Sequence, residues 1–258
     1  MDISSVSRAQ EISSYTSASG GRIDPYVIYQ LSFEALGGEK QVKSADNFHY
    51  RGEIELGNHV LSIEEYIQKP LNSLKTISDK SIVLTKDGNN GRILWSEKNG
   101  SVSSINYFNI PEHEVQKSWA EYAYTDPKNT LFTSTDARKV SIDGTTYYEI
   151  KIRNNMTDEV VTQHYDAKTF LLKRELREFS DNRVQTEYSD YRYVDNIMIA
   201  FQIDTTDLTT DIRQSIIWNT VEIGVYIPDS RFEAPDENMQ KNNSSLLREI
   251  GARLNTYA

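Results

Sequence analysis

The sequence predicts an α+β protein that is mostly β, built on a meandering antiparallel sheet. Three observations carry this. Between Asn47 and Ile227, runs that alternate apolar and polar residues are separated by Asx and Gly turn pairs, the signature of strands joined by tight hairpins. One helical pattern interrupts the strands and another precedes them, which leaves no room for repeated βαβ units. Each helical pattern has a single apolar stripe, so each must lie on something. A length of 258 residues suits one large β domain.

Residues 1–22 are Ser-rich and end in Gly20-Gly21, and they read as a flexible tether. Asp24 offers an N-cap, Pro25 the first helical position and Gly37-Gly38 a stop, which predicts a helix over 25–36. Val27, Leu31 and Ala35 share a stripe with Ile28 beside it, and this stripe is the expected lid over the sheet.

Asn47–Leu56 and His59–Lys69 alternate around Gly57-Asn58, a glycine-first pair suited to a type II′ turn. Pairing Leu56 with His59 sets the register. Phe48, Tyr50, Ile54, Leu61, Ile63 and Ile67 then face inward, with Arg51, Glu53 and Glu64 outward. Glu65 lands among the apolar side chains, opposite Tyr50. It is either a contact for a ligand head group, or a rim position, or a carboxylate satisfied by the tyrosine hydroxyl.

Strand signals continue through Leu74–Ile77, Ser81–Thr85, Arg92–Ser96 and Val102–Tyr107, with turns at 87–91 and 99–100. Trp95 joins the candidates for an apolar cavity. Pro111 opens a helix over 111–124 with Val115, Trp119, Tyr122 and Ala123 on one face, and Trp119 is either a cavity cap or plain core. From Ala137 to Ile227 the pattern is strands only, and Tyr148 and Ile150 alternate with charged neighbours as expected of a sheet with one wet face. In Tyr188–Ile203, Asp195-Asn196 marks a two-residue hairpin. Ile199 and Phe201 point inward there, and Asp190 pairs with Arg192 at a strand rim. After Pro235 a polar linker leads to a short helix near Ser245–Thr256, so the organisation is 1–22, 23–235 and 236–258.

YSDYRYVDNIMIAFQI (Tyr188–Ile203) resembles the late hairpin of the LolA-like family of bacterial outer-membrane lipoprotein-sorting proteins. Four other segments agree with that family in order: ALGG (Ala35–Gly38), IDGTTYYEIKI (Ile142–Ile152), YDAKTFLLKRE (Tyr165–Glu175) and VEIGVYIPDSRFEAP (Val221–Pro235). The resemblance implies a curved, unclosed antiparallel half-barrel with helices covering its apolar concave face. It further implies a non-enzymatic carrier or binder of lipids or of lipoprotein acyl chains, with no cofactor. The setting it implies is the periplasm or the outer membrane, with an export signal removed and another envelope protein as a possible partner. The alternative is an envelope or secreted interaction module with a filled core and no lipid ligand.

A net charge of -10 opposes nucleic acid or an anionic membrane face as partner, since both reward clustered Lys and Arg. The chain has no cysteine, which removes disulfides and thiolate chemistry. No apolar run approaches the length of a transmembrane helix. His49, His59, His113 and His164 lack the spacing of a helical zinc site. Asp204–Asp211 holds three aspartates without the spacing of an EF-hand loop, and it reads as a solvated hairpin tip. No nucleophile elbow or phosphate-cradling glycine loop occurs.

Overall fold

The computed structural model describes residues 23–107, 111–179, 182–235 and 240–241. The expected N-terminal tether and the helix expected near Ser245–Thr256 lie outside these residues. Helix α1 spans Pro25–Leu36, with the bounds its capping residues dictate. The Asp24 carboxylate accepts the Tyr26 amide at 3.0 Å, and Gly37 closes the helix in the left-handed region at φ 115. Its buried face is not centred on Val27. It comprises Ile28, Tyr29, Leu31, Ser32 and Phe33, and Val27 is half-buried.

Helix α2 (Glu39–Ser44) has no counterpart among the sequence expectations; it is held by an i,i+4 pair between Glu39 and Lys43 at 2.7 Å. Helix α3 spans Pro111–Ala120 and stops four residues short of expectation. Tyr122 takes a left-handed conformation at φ 56, and a 3-10 turn follows over Ala123–Thr125.

The first meander contains β1 (Asn47–Leu56), β2 (His59–Gln68), β3 (Asn72–Asp79), β4 (Ile82–Asn89), β5 (Ile93–Lys98) and β6 (Ser101–Asn106). After α3 come β7 (Phe132–Ser134), β8 (Arg138–Ile142), β9 (Thr145–Asn154), β10 (Val160–Asp166) and β11 (Leu172–Phe179). The chain then continues through β12 (Asn182–Val194), β13 (Ile197–Asp207) and β14 (Ile212–Ile223). Antiparallel pairing of β1 with β14 welds the two meanders into one sheet. The first described strands thereby lie at its middle, with β6 towards one edge and β7 and β8 at the other. Those edges do not pair, so the sheet is an unclosed half-barrel. A two-residue strand β15 (Gln240–Lys241) runs parallel to β6, inside the stretch expected to be a polar linker.

The β1–β2 register matches the sequence reading residue for residue, from Leu56↔His59 to Phe48↔Ile67. Ile54 and Ile63 are 3% and 2% exposed, whereas the side chains of Arg51 and Glu64 are 53% and 42% exposed. Two expectations fail for physical reasons. The supposed turn at 87–91 is strand through Asn89: Gly88 is there because the Trp95 ring lies on it, and a Cβ would come within 2.1 Å of that ring. Regular pairing ends at Ile223, and the chain then crosses the convex face, where Ile227 and Phe232 pack on Leu74 and Trp95. At Asp190 the backbone turns to φ 48, which breaks the alternation of β12.

Four clusters of buried side chains divide the molecule. One lies under α1 and α3, where Ile28, Leu31 and Trp119 meet Phe132, Tyr148, Ile150 and Phe170. A second fills the opposite end with Ile54, Ile63, Phe201, Ile216 and Trp218. A third seats α2 and the end of α1 on Phe48 and Ile197, and the fourth is the convex patch around Trp95. The α1 terminus is pinned by close backbone contact, because a Cβ on Gly37 would lie 2.1 Å from the Asn196 carbonyl oxygen. Gly38, at φ 110, has nothing within 4 Å of the same position. Both Gly37→Ala and Gly38→Ala introduce backbone strain on the order of 1–2 kcal/mol. Only Gly37→Ala also drives α1 off the β12–β13 turn, so denaturant titration should show it to be the more destabilising of the two.

Candidate functional site

Between the two filled ends the concave face is not fully occupied. A lobe of about 300 Å³ lies between α2, α3, the β2–β3 turn and the start of β13, walled by Val42, Phe48, Trp119 and Met198. A second lobe of about 220 Å³ lies under α1. The lobes share Leu36, Tyr50, Glu65, Ile67, Tyr122 and Ile199 as walls. The inner lobe is lined by seven tyrosines, 29, 50, 122, 124, 165, 188 and 191. Their rings supply apolar area, and their hydroxyls supply donors at fixed places.

Of the residues expected in a cavity, Phe48, Tyr50, Glu65, Ile67, Trp119 and Ile199 come together around this space. Ile54, Leu61, Ile63 and Phe201 pack in the filled end. Val27, Ile28, Leu31, Tyr148 and Ile150 belong to the core under the helices. The face that α1 turns to the cavity is therefore Tyr29, Ser32, Phe33 and Leu36. Trp95 is on the convex side, its indole N–H donating to the Phe232 carbonyl at 2.9 Å.

Sequence reasoning missed Lys69, which looked like a strand end before proline, and Tyr122, which sits beyond the helix. It also missed Tyr191, whose position is set by the kink at Asp190. The kink brings both Tyr188 and Tyr191 to the cavity wall, while Asp190 and Arg192 form their ion pair in solvent.

Glu65 is 4% exposed and sits in the shared wall, not at a rim. Its Oε2 has no hydrogen-bond partner. Burial raises its pKa to about 7, against the pull of Lys75 across the β2–β3 ladder. Lys69 holds its Nζ 5.5 Å from the Phe48 ring centre and 4.8 Å from that of Tyr122. Burial lowers its pKa to about 8, opposed by Asp46. Behind the inner lobe a polar chain stiffens the wall. Tyr165 donates to Gln163 at 2.7 Å, Gln163 to Glu175 at 3.0 Å, and Arg177 to Glu175 at 2.6 Å. The Arg177 guanidinium stacks 5.0 Å from Trp119, which ties this chain to α3. The aspartate-rich tip is a self-satisfied turn, in which Asp207 accepts the amides of Thr209 and Thr210.

Neither a family model nor a curated protein matches the sequence. Solved structures share its fold. A LolA-superfamily protein from Nitrosomonas europaea aligns over 79% of this chain and 97% of its own, with 14% identity and a TM-score of 0.53. The fold is LolA-like. A domain described as that of an outer-membrane lipoprotein-sorting protein, from Vibrio parahaemolyticus, shares the LolA-like fold over 78% of this chain and 95% of its own, at 9% identity and a TM-score of 0.53. A DUF1329-family protein from Desulfovibrio piger aligns over 80% and 95%, at 16% identity and a TM-score of 0.54.

The raised pKa of Glu65 has a consequence for stability. The folded protein keeps a proton that the unfolded chain has released, so this contribution is present below pH 4.5 and is lost as pH rises to about 7. Glu65→Gln should remove that loss, and near neutral pH the variant should be more stable than wild type by up to about 3 kcal/mol. Thermal melts across this range should therefore diverge as pH rises.

Proposed function

We propose that the protein is a non-enzymatic binder or carrier of lipid, taking an acyl chain, free or attached to a lipoprotein, into the concave cavity. The observation that carries this reading is the cavity itself, roofed by helices and walled by Leu36, Phe48, Ile67, Trp119 and Ile199 between two packed ends. A concave, mostly apolar space with a few placed polar groups is the usual form of a small-molecule site.

Acid–base or nucleophilic catalysis finds no support in the lining. Among the described residues around the two lobes, Glu65 is the one carboxylate and Lys69 the one amine, with no nucleophile and base in contact. The LolA-like fold supports a periplasmic or outer-membrane-associated setting, where acyl chains need shielding from water. Helix α1 acts as the roof through Tyr29, Phe33 and Leu36, while Ile28 and Leu31 anchor it to the core.

Ile199 lines both lobes, and Ile199→Trp should fill the space they share. A fluorescent fatty-acid probe should bind wild type saturably, and the variant on the order of tenfold or more weaker, a loss of about 1.4 kcal/mol, with the fold retained. Absence of saturable binding to wild type, or equal binding to the filled variant, would contradict the reading.

A further inference from the structure

Carriage of an acyl chain gives no role to the two charged side chains in the lining of a cavity whose other walls are uncharged. We propose that the ligand is a single-chain amphiphile with an anionic head of the fatty-acid carboxylate class, seated on Lys69, with its tail running inward past Glu65. This rests on the lipid-binding reading above and specifies its substrate.

Lys69 supplies the head site. It follows the last residue of β2, next to the exposed Pro70, and lines the larger lobe. Its ammonium has three donors to satisfy, yet among the described residues its close neighbours are the faces of Phe48 and Tyr122. No carboxylate among the described residues forms an ion pair with it; Asp46 is exposed and acts on it from beyond ion-pair range. The other nearby cation, Lys43, is already engaged by Glu39 at 2.7 Å and lies over the Phe33 ring. An anionic oxygen would fill the open donors of Lys69 in a place where water is scarce, which makes a charge-assisted hydrogen bond strong.

Glu65 excludes the opposite choice. It lies four residues before Lys69, roughly 13 Å along an extended chain, inside the shared wall with Oε2 unpartnered. The titratable groups that face it are Tyr50 on β1 and Lys75 on β3, and Tyr122, from the segment after α3, shares the same wall and acts on Tyr50. A tail that displaces water from its carboxyl disfavours the ionised form further, so a loaded cavity holds Glu65 neutral. A neutral Glu65 gives a cationic head no counter-charge, and Lys69 in the wall of the same cavity repels it. The lobes are also at or below the small end of ligand cavities, which run from roughly 300 Å³ upward, and this favours one chain over several.

The test is a competition among twelve-carbon amphiphiles below their micelle concentrations, read by displacement of a fluorescent fatty-acid probe from the intact protein. Wild type should bind dodecanoate about tenfold or more tighter than dodecanol or dodecylammonium, the scale of one charge-assisted contact. Lys69→Met should erase that order and Lys69→Arg should keep it. Dodecanesulfonate, whose head stays charged throughout, should bind wild type progressively more weakly from about pH 5.5 to about pH 7.5, and Glu65→Gln should flatten that slope. Binding of dodecylammonium as tight as that of dodecanoate, or an order that survives in Lys69→Met, would overturn the head assignment and leave lipid binding standing. Failure of every amphiphile to bind would overturn the lipid reading and this inference together.

Discussion

An unclosed, curved sheet cannot fill its own concave face, and the rest of this structure depends on how that face is bridged. The bridge is aromatic. Tyr29 of α1 meets Tyr124 at 5.4 Å and Tyr165 of β10 at 6.2 Å between ring centres. Trp119 of α3 meets Tyr124 and Phe132 at 4.8 Å each. Such pairs contribute about 0.5–1.5 kcal/mol each beyond their burial, and here they join both helices to the sheet across the opening. Gly37 fixes the far end of α1 by letting its backbone meet the β12–β13 turn. With both ends of the roof tied down, the space beneath α1 and α3 can stay open without loss of the fold.

The polar groups of the interior follow the same division. Behind the inner lobe they are cross-linked: Tyr165, Gln163, Glu175, Arg177 and Glu159 form a chain of hydrogen bonds and ion pairs beside Trp119. Breaking such a buried network leaves a charge unpaired, which is costly, so the network restricts how the wall can rearrange. At the cavity the pattern differs. Glu65 has an unpartnered oxygen and Lys69 rests on ring faces. Polar groups left in this condition beside a space of ligand size are expected at binding sites, where local stability is given up for function.

Much of the architecture was legible in the sequence because local chemistry determined it. Asp24, Pro25 and Gly37 fixed α1, and the Gly57-Asn58 turn fixed a ten-pair register. The illegible parts depend on distant packing. Gly88 reads as a turn residue until Trp95 is seen lying on it, and Trp95 faces outward because the chain after Ile223 returns to cover it. Tyr191 reaches the cavity because Asp190 adopts φ 48, a departure that no alternation pattern announces. Of the expected cavity residues, those near the middle of the sheet line the space. Ile54, Ile63 and Phe201, with the same inward parity, are farther along the strands and fill its end. Parity gives the face of a residue; depth along the barrel is set by the curvature of the whole sheet.

The central claim is that the space between the packed ends is there to be occupied by one acyl chain. Organic extraction of the protein after purification from a bacterial envelope, followed by mass spectrometry of the extract, tests it most directly. The account predicts about one single-chain amphiphile per protein molecule, absent from Ile199→Trp prepared in the same way, in keeping with a cavity of this size. An extract from folded wild-type protein free of acyl chains, or the same yield from the filled variant, would contradict it.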